Sequence, residues 1–223
     1  QNLKPDLQVV VAFRMLPKDV WSLPAKGTIN LHASLLPQYR GAAPMNWAII
    51  NGEKETGLTT FFINENIDTG DIIYREKMDI GVVETLGELH DRMKNAGARL
   101  VLKTVKAIEN DEVEIISQQD IQSEEKTLSP APKINKDDCR INWNEPAMRI
   151  FNRIRGLSPI PGAYTELENI DGSKTMLKIY RADYTSQTHL NKPGVIQSDG
   201  STYFRIFARD GWLDLEEVQL AGK

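Results

Sequence analysis

Apolar positions fall into two regimes along the chain. In the first half, short apolar runs alternate with helical spacing. Leu7-Gln8-Val9-Val10-Val11-Ala12-Phe13 is rich in β-branched side chains and predicts a parallel strand buried on both faces. Thr28 to Leu31, Leu58 to Ile63 and Ile72 to Tyr74 read as further strands. Pro44 to Ile50 reads as a short helix, with proline in its first turn and Asn51-Gly52 behind it. Thr85-Leu86-Gly87-Glu88 has the spacing of a capping box, which predicts the start of a long helix. Leu86, Leu89, Met93, Leu100, Val101 and Ile108 then recur at helical spacing as a core stripe. Strands alternating with helices predict an α/β domain over 1–112 with a mostly parallel sheet.

From 113 to 130 the pattern dissolves into glutamines, glutamates and Ser129-Pro130, which reads as a linker with one strand at Glu114-Ile115-Ile116. After it the period changes. Asn144-Glu145-Pro146 opens a short helix with Ala147, Ile150, Phe151 and Ile154 on its apolar side. Strand-like runs follow at 163–167, 175–180, 194–197, 203–208 and 213–218, with Asp171-Gly172, Asp199-Gly200 and Asp210-Gly211 as turn signals. Many short strands predict a second domain over 131–223 built as a small barrel or sandwich.

Composition adds limits. The net charge of −4 argues against a general nucleic-acid coat protein. A local basic stretch survives over 140–155, where Arg140, Arg149, Arg153 and Arg155 face Glu145 alone. No apolar run has bilayer length, no secretory leader opens the chain, and the one cysteine, Cys139, reads as a spectator, so a cytoplasmic protein with no membrane partner is expected. The abrupt strand pattern at both ends predicts a fragment.

Candidate chemistry sits where strands end. Asn30 and His32 are two apart and so share one side of a strand, at the edge where parallel sheets bind ligands. Both could donate to a developing oxyanion, although a single imidazole beside an apolar strand is more often structural. Asn64-Glu65-Asn66-Ile67-Asp68-Thr69-Gly70-Asp71 is a turn-rich loop in which Glu65, Asp68 or Asp71 could accept protons; spacing does not choose among them. Ser34-Leu35-Leu36-Pro37 and Phe13-Arg14-Met15-Leu16-Pro17 place apolar side chains in loops, as the wall of a flat heterocycle would require.

Asn30-Leu31-His32-Ala33-Ser34-Leu35-Leu36-Pro37, followed by Tyr39-Arg40-Gly41-Ala42-Ala43-Pro44 and by Ile67-Asp68-Thr69-Gly70-Asp71, closely resembles the signature of the formyltetrahydrofolate-dependent formyltransferases. Within them the chain most resembles the branch whose acceptor is methionyl initiator tRNA, favoured by Ala42-Ala43-Pro44 with Asp68-Thr69-Gly70-Asp71, and the likeness continues through Ala131-Pro132-Lys133-Ile134 to Ile141-Asn142-Trp143. The resemblance spans nearly the whole chain. It implies a Rossmann-like catalytic domain followed by an OB-like barrel that helps hold tRNA, with further sequence before Gln1 and after Lys223. It implies Asn30, His32 and Asp68 as the catalytic trio. It implies 10-formyltetrahydrofolate as donor, lined by Ser34, Leu35, Leu36 and Pro37 and touched by the backbone of Arg14, Met15 and Leu16. No metal and a monomer are expected. Arg149 and Arg153, four apart on one helix face, are the tRNA-binding candidates, weighed against an ordinary solvated face. The rivals are an amino-sugar-nucleotide formyltransferase, a formyltetrahydrofolate hydrolase and a non-catalytic RNA-binding module.

Overall fold

The computed structural model describes residues 3–12, 15–124, 127–169 and 171–221. The chain divides into two compact units. The first comprises Gln1–Met45, Glu55–Ile80 and His90–Lys133, the second Asn46–Lys54, Gly81–Leu89 and Ile134–Lys223. The division therefore differs from the contiguous one expected from sequence, since two short segments of the first half belong to the second unit.

The first unit carries a four-stranded sheet in the order β1 (Gln8–Val11), β2 (Thr28–His32), β3 (Glu55–Phe62), β4 (Ile72–Asp79). The β1–β2 pair is parallel, whereas β2–β3 and β3–β4 are antiparallel. A mostly parallel sheet was expected, and the described strands form a mixed one. Apolar runs report burial but not direction, because parallel and antiparallel strands share the two-residue period. The expectation that β1 is buried on both faces also fails: Val9 and Val11 are exposed, on a strand paired along one edge among the described residues.

Helix α1 (Lys18–Trp21), which the sequence pattern missed, is a single turn too short for periodicity. Helix α2 (Pro44–Ile50) has the predicted bounds. Helix α3 (Leu86–Glu109) carries the stripe, with Leu89, Met93, Leu100 and Ile108 buried. Within the first unit Ile29, Ile73 and Ile108 form one cluster, and the buried hydroxyls of Thr60 and Thr104 meet at 2.9 Å, so sheet and helix share a polar contact inside an apolar layer.

The segment read as a linker is structured. Helix α4 (Gln118–Glu124) packs Ile121 against Leu36, Phe61 and Ile72, and Ile116 forms a bridge to Ile72 rather than a strand. Further along, the Ser129 carbonyl accepts from the Tyr39 N–H at 2.7 Å and the Ala131 N–H donates to Arg40 O at 2.8 Å. These contacts are backbone-to-backbone, so composition carries no sign of them.

The second unit carries an antiparallel sheet in the order β5 (Ala163–Glu168), β6 (Lys174–Ser186), β9 (Gly211–Leu220), β8 (Phe204–Phe207), β7 (Ile196–Ser198). The pairing is that of an open sheet: no β5–β7 ladder closes a barrel among the described residues. The thirteen-residue β6 shifts register around Arg181, where an irregularity bends a long strand. Helix α5 (Ala147–Leu157) buries Ile150, Phe151, Ile154 and Leu157 on the sheet residues Leu177, Ile179 and Leu213. Among the described residues no helix is long and apolar enough to cross a membrane.

Candidate active site

Strand β2 is flanked by β1 and β3, so both of its edges are hydrogen-bonded and its side chains are fixed in direction. Asn30 and His32 leave it on one face, 4% and 6% exposed, and both line a cavity of about 890 Å³. The His32 Nε2 meets Tyr39 O at 2.8 Å. A carbonyl can only accept, so Nε2 holds a proton and donates it. Nδ1 is the ring nitrogen left to face a reactant. The Asn30 carboxamide oxygen is buried without a partner among the described residues, and such an atom in a ligand-sized cavity is a binding group held in waiting.

The loop after β3 supplies the carboxylate. The Asp68 Oδ2 lies 3.7 Å from His32 Nδ1 and accepts from the Gly41 N–H at 2.9 Å. Asp68 adopts φ +54, a region that non-glycine residues visit seldom. Gly70 explains how the loop bends so sharply: a Cβ there would sit 1.7 Å from Phe62 O. Gly41, at φ +127, lies close to the Ala131 carbonyl, whose oxygen would meet a Cβ at 2.3 Å. Of the three candidate carboxylates the structure brings Asp68 alone to His32. Glu65 pairs with Lys18, which holds its carboxyl below the usual range, and Asp71 is exposed. Burial pushes the neighbouring Arg40 guanidinium down from its usual range, with Asp68 acting in the opposite sense.

The expected heterocycle wall is only partly in place. Met15 and Leu16 line the cavity; Arg14 lies outside the described residues. Ser34, Leu35, Leu36 and Pro37 do not line it. Leu36 N–H donates to Thr59 Oγ1, which in turn donates to Ser34 O, and this folds the turn onto β3. Leu36 is fully buried with Phe61 and Ile72, and Leu35 lies against Gly57. The apolar wall comes instead from Trp21, Met45, Leu58, Phe61, Ile63 and Ile67. His90 and Lys94, one turn apart on α3, also reach the cavity. Their four-residue spacing was legible, but nothing in the sequence tied that helix face to the site.

The basic stretch is largely neutralised within the second unit. Arg140 pairs with Glu166 at 2.7 Å. Arg153 donates to Asp138 O at 2.7 Å and stands 3.9 Å from Glu145, and Arg155 is buried with its Nε on Asn152 Oδ1 at 2.9 Å. Arg149 is the exposed member of the predicted pair.

A mixed α/β unit with an amide, an imidazole and a carboxylate converging on one cavity defines an acyl-transfer class of site, and the comparisons make it specific. Residues 1–105 match the model described as formyl transferase, and residues 133–223 match the formyl transferase C-terminal domain. The methionyl-tRNA formyltransferase of Phocaeicola vulgatus is 50% identical over 98% of this chain and 67% of its own length. That of Parabacteroides distasonis is 49% identical over 99% of this chain and 68% of its own. Among solved structures, HypX of Aquifex aeolicus with tetrahydrofolic acid superposes with TM-score 0.71 at 21% identity, covering 99% of this chain and 36% of that one. The N-formyltransferase of Helicobacter canadensis with folinic acid and dTDP-3-aminofucose gives TM-score 0.64 at 26% identity, covering 86% and 66%. The chain belongs to the methionyl-tRNA formyltransferase family.

Proposed function

We propose that this chain transfers the formyl group of 10-formyltetrahydrofolate to the amino group of methionyl initiator tRNA, the step that prepares the initiator for translation. The observation that carries the reading is the convergence of Asn30, His32 Nδ1 and Asp68 Oδ2 on one cavity. The cavity fits the donor: it has the volume of a small-ligand site, apolar walls for a heterocycle, and the unpaired carboxamide oxygen of Asn30 on a lining residue. The named relatives solved with tetrahydrofolic or folinic acid support this choice.

When bound, the folate supplies a formyl carbon already activated on nitrogen. Asn30, through its amide N–H, donates to the formyl oxygen as negative charge grows there, and His32, with Nε2 already committed to Tyr39 O, adds a second donor only when Nδ1 has also taken up a proton beside Asp68. Asp68 accepts the proton that the attacking amine sheds as the new C–N bond forms. Asp68 hands that proton on to the departing folate nitrogen as the old bond breaks, so protons balance and no covalent enzyme species is required. In the same reading 1–112 is a Rossmann-like catalytic domain, 113–130 the connection, and 131–223 an OB-like unit, open among the described strands, that helps hold tRNA. Arg149 is the exposed member of the candidate pair with Arg153, and the protein works as a cytoplasmic monomer.

The test is formyl transfer from 10-formyltetrahydrofolate by the full-length protein, with charged initiator tRNA, an amino-sugar nucleotide, or no amine. Formyl-methionyl-tRNA is the expected product. Formylation of the sugar alone, or formate release without an amine, would overturn the reading.

A further inference from the structure

We propose that Gln118 is a positioning residue for Asp68, an inference that rests on the catalytic reading above and deepens it. Gln118 is 2% exposed and opens the short helix in the stretch whose composition reads as linker. Its Oε1 accepts from Arg40 Nε at 3.0 Å and Nη2 at 2.7 Å. Its Nε2 donates to Asp68 O at 3.0 Å and Gly70 O at 2.7 Å. A carboxamide has two acceptor sites and two donor hydrogens, so all four are used. A buried polar side chain that is fully satisfied across 78 and 50 residues of sequence is a cross-link between loops.

The geometry shows what the cross-link does. Asp68 sits in a conformation that non-glycine residues seldom hold, so neighbouring contacts must maintain it. On one side the Gly41 N–H grips its carboxylate. On the other, Gln118 grips its carbonyl and that of Gly70. Arg40, the residue before Gly41, is joined to the same carboxamide. The signature loop and the carboxylate loop are thereby tied at both ends of Asp68, and this sets the 3.7 Å from Asp68 Oδ2 to His32 Nδ1. Gln118 is not among the cavity-lining residues and reaches the cavity through Asp68, which is.

The test compares Gln118→Leu, Gln118→Glu, Asp68→Asn and the double variant Asp68→Asn/Gln118→Leu in the full-length protein. Gln118→Leu removes all four hydrogen bonds. Gln118→Glu keeps the acceptors for Arg40 and removes the donors to the two carbonyls. Both are expected to lower kcat by about 10- to 100-fold, the effect of a misplacement near 1 Å, with KM for either substrate changed less than about threefold. The double variant should turn over no more slowly than Asp68→Asn alone, because the two changes act on one group. If Gln118→Leu fails to fold, Gln118→Glu decides. Folded Gln118 variants with kcat within about twofold of wild type, or a double variant whose losses multiply, would overturn the positioning role. An Asp68→Asn enzyme that keeps full turnover would instead sink the catalytic reading itself, so the two failures are distinguishable.

Discussion

The His32 Nε2 donates to the main-chain carbonyl of Tyr39 at 2.8 Å, and that contact decides what the ring can do. It commits one nitrogen to the protein and turns the other toward Asp68. The partner is main chain, so it survives any side-chain substitution at 39 that leaves the φ of +58 intact. Replacing His32 or Asp68 by alanine is expected to lower kcat by about 10²- to 10⁴-fold, the range for a positioned proton-transfer group. Asn30→Ala should lose about 10²- to 10³-fold, as for one oxyanion donor. Single-turnover assays on variants with native circular dichroism check all three; a variant with near-normal turnover leaves the mechanism.

Gly70→Ala tests the loop that carries the carboxylate. The added carbon would start 1.7 Å from Phe62 O, a backbone atom fixed in β3, so the loop must move rather than the strand. Asp68 lies two residues away and should move with it. The expected result is a fall in kcat comparable to that of Asp68→Ala, with the melting temperature lowered by only a few degrees, since about 1–3 kcal/mol of strain falls on one loop. Wild-type kcat with an unchanged melting temperature would show that the loop geometry is not required.

The strands, helix α2, the capped start of α3 and the pairing of Asn30 with His32 were legible because each follows from a local period or a local chemical rule. Three features were not. Sheet direction was misread, because β-branched runs do not distinguish a parallel neighbour from an antiparallel one. Ser34 to Pro37 were assigned to the ligand wall on their apolarity and on the family resemblance, and nothing in the sequence signals that Thr59, a polar residue 23 positions from Leu36, holds that turn against β3. Gln118 escaped because all four of its hydrogen-bond partners lie in a loop and on an arginine far away in sequence, and two of them are backbone carbonyls, which every residue has.

The capping box was legible, and it yields a prediction about pH. The Thr85 N–H donates to Glu88 Oε2 at 2.8 Å and the Glu88 N–H donates to Thr85 Oγ1 at 3.4 Å. The Thr85 backbone hydrogen bond is the largest cause holding the Glu88 carboxyl below its ordinary value of 4.5, followed by the Thr85 hydroxyl. A carboxylate depressed on folding stabilises the folded state above its unfolded pKa and loses that contribution as pH falls through the folded value. Thr85→Ala keeps the backbone N–H and removes only the hydroxyl's bonds to Glu88, so it should destabilise by about 0.5–2 kcal/mol near pH 7, with the gap from wild type narrowing below pH 4.5 as the hydroxyl's share is lost. Urea titrations at the two pH values decide it. Glu88 is half-exposed, so a gap above that range would point to a cause other than the cap.

Cys139 offers a prediction about what does not take part. It is buried in the core of the second unit, and its Sγ–H donates to Asn135 O at 3.3 Å. Burial pushes the thiol up from its ordinary value of 9.0, and the Asp138 carboxylate adds to the effect. A raised thiol pKa lowers the thiolate fraction at neutral pH, and the thiolate is the reactive species. Alkylation of the native protein at pH 7.5 should therefore be far slower than that of a free thiol, and should rise with pH or with denaturant that opens the core. Cys139→Ala should leave formyl transfer intact and lower stability by about 1 kcal/mol, because a small buried side chain is shortened by one heavy atom. Labelling of the native protein within minutes, with activity lost in step, would place the thiol in the chemistry and would be incompatible with a site built from Asn30, His32 and Asp68 alone.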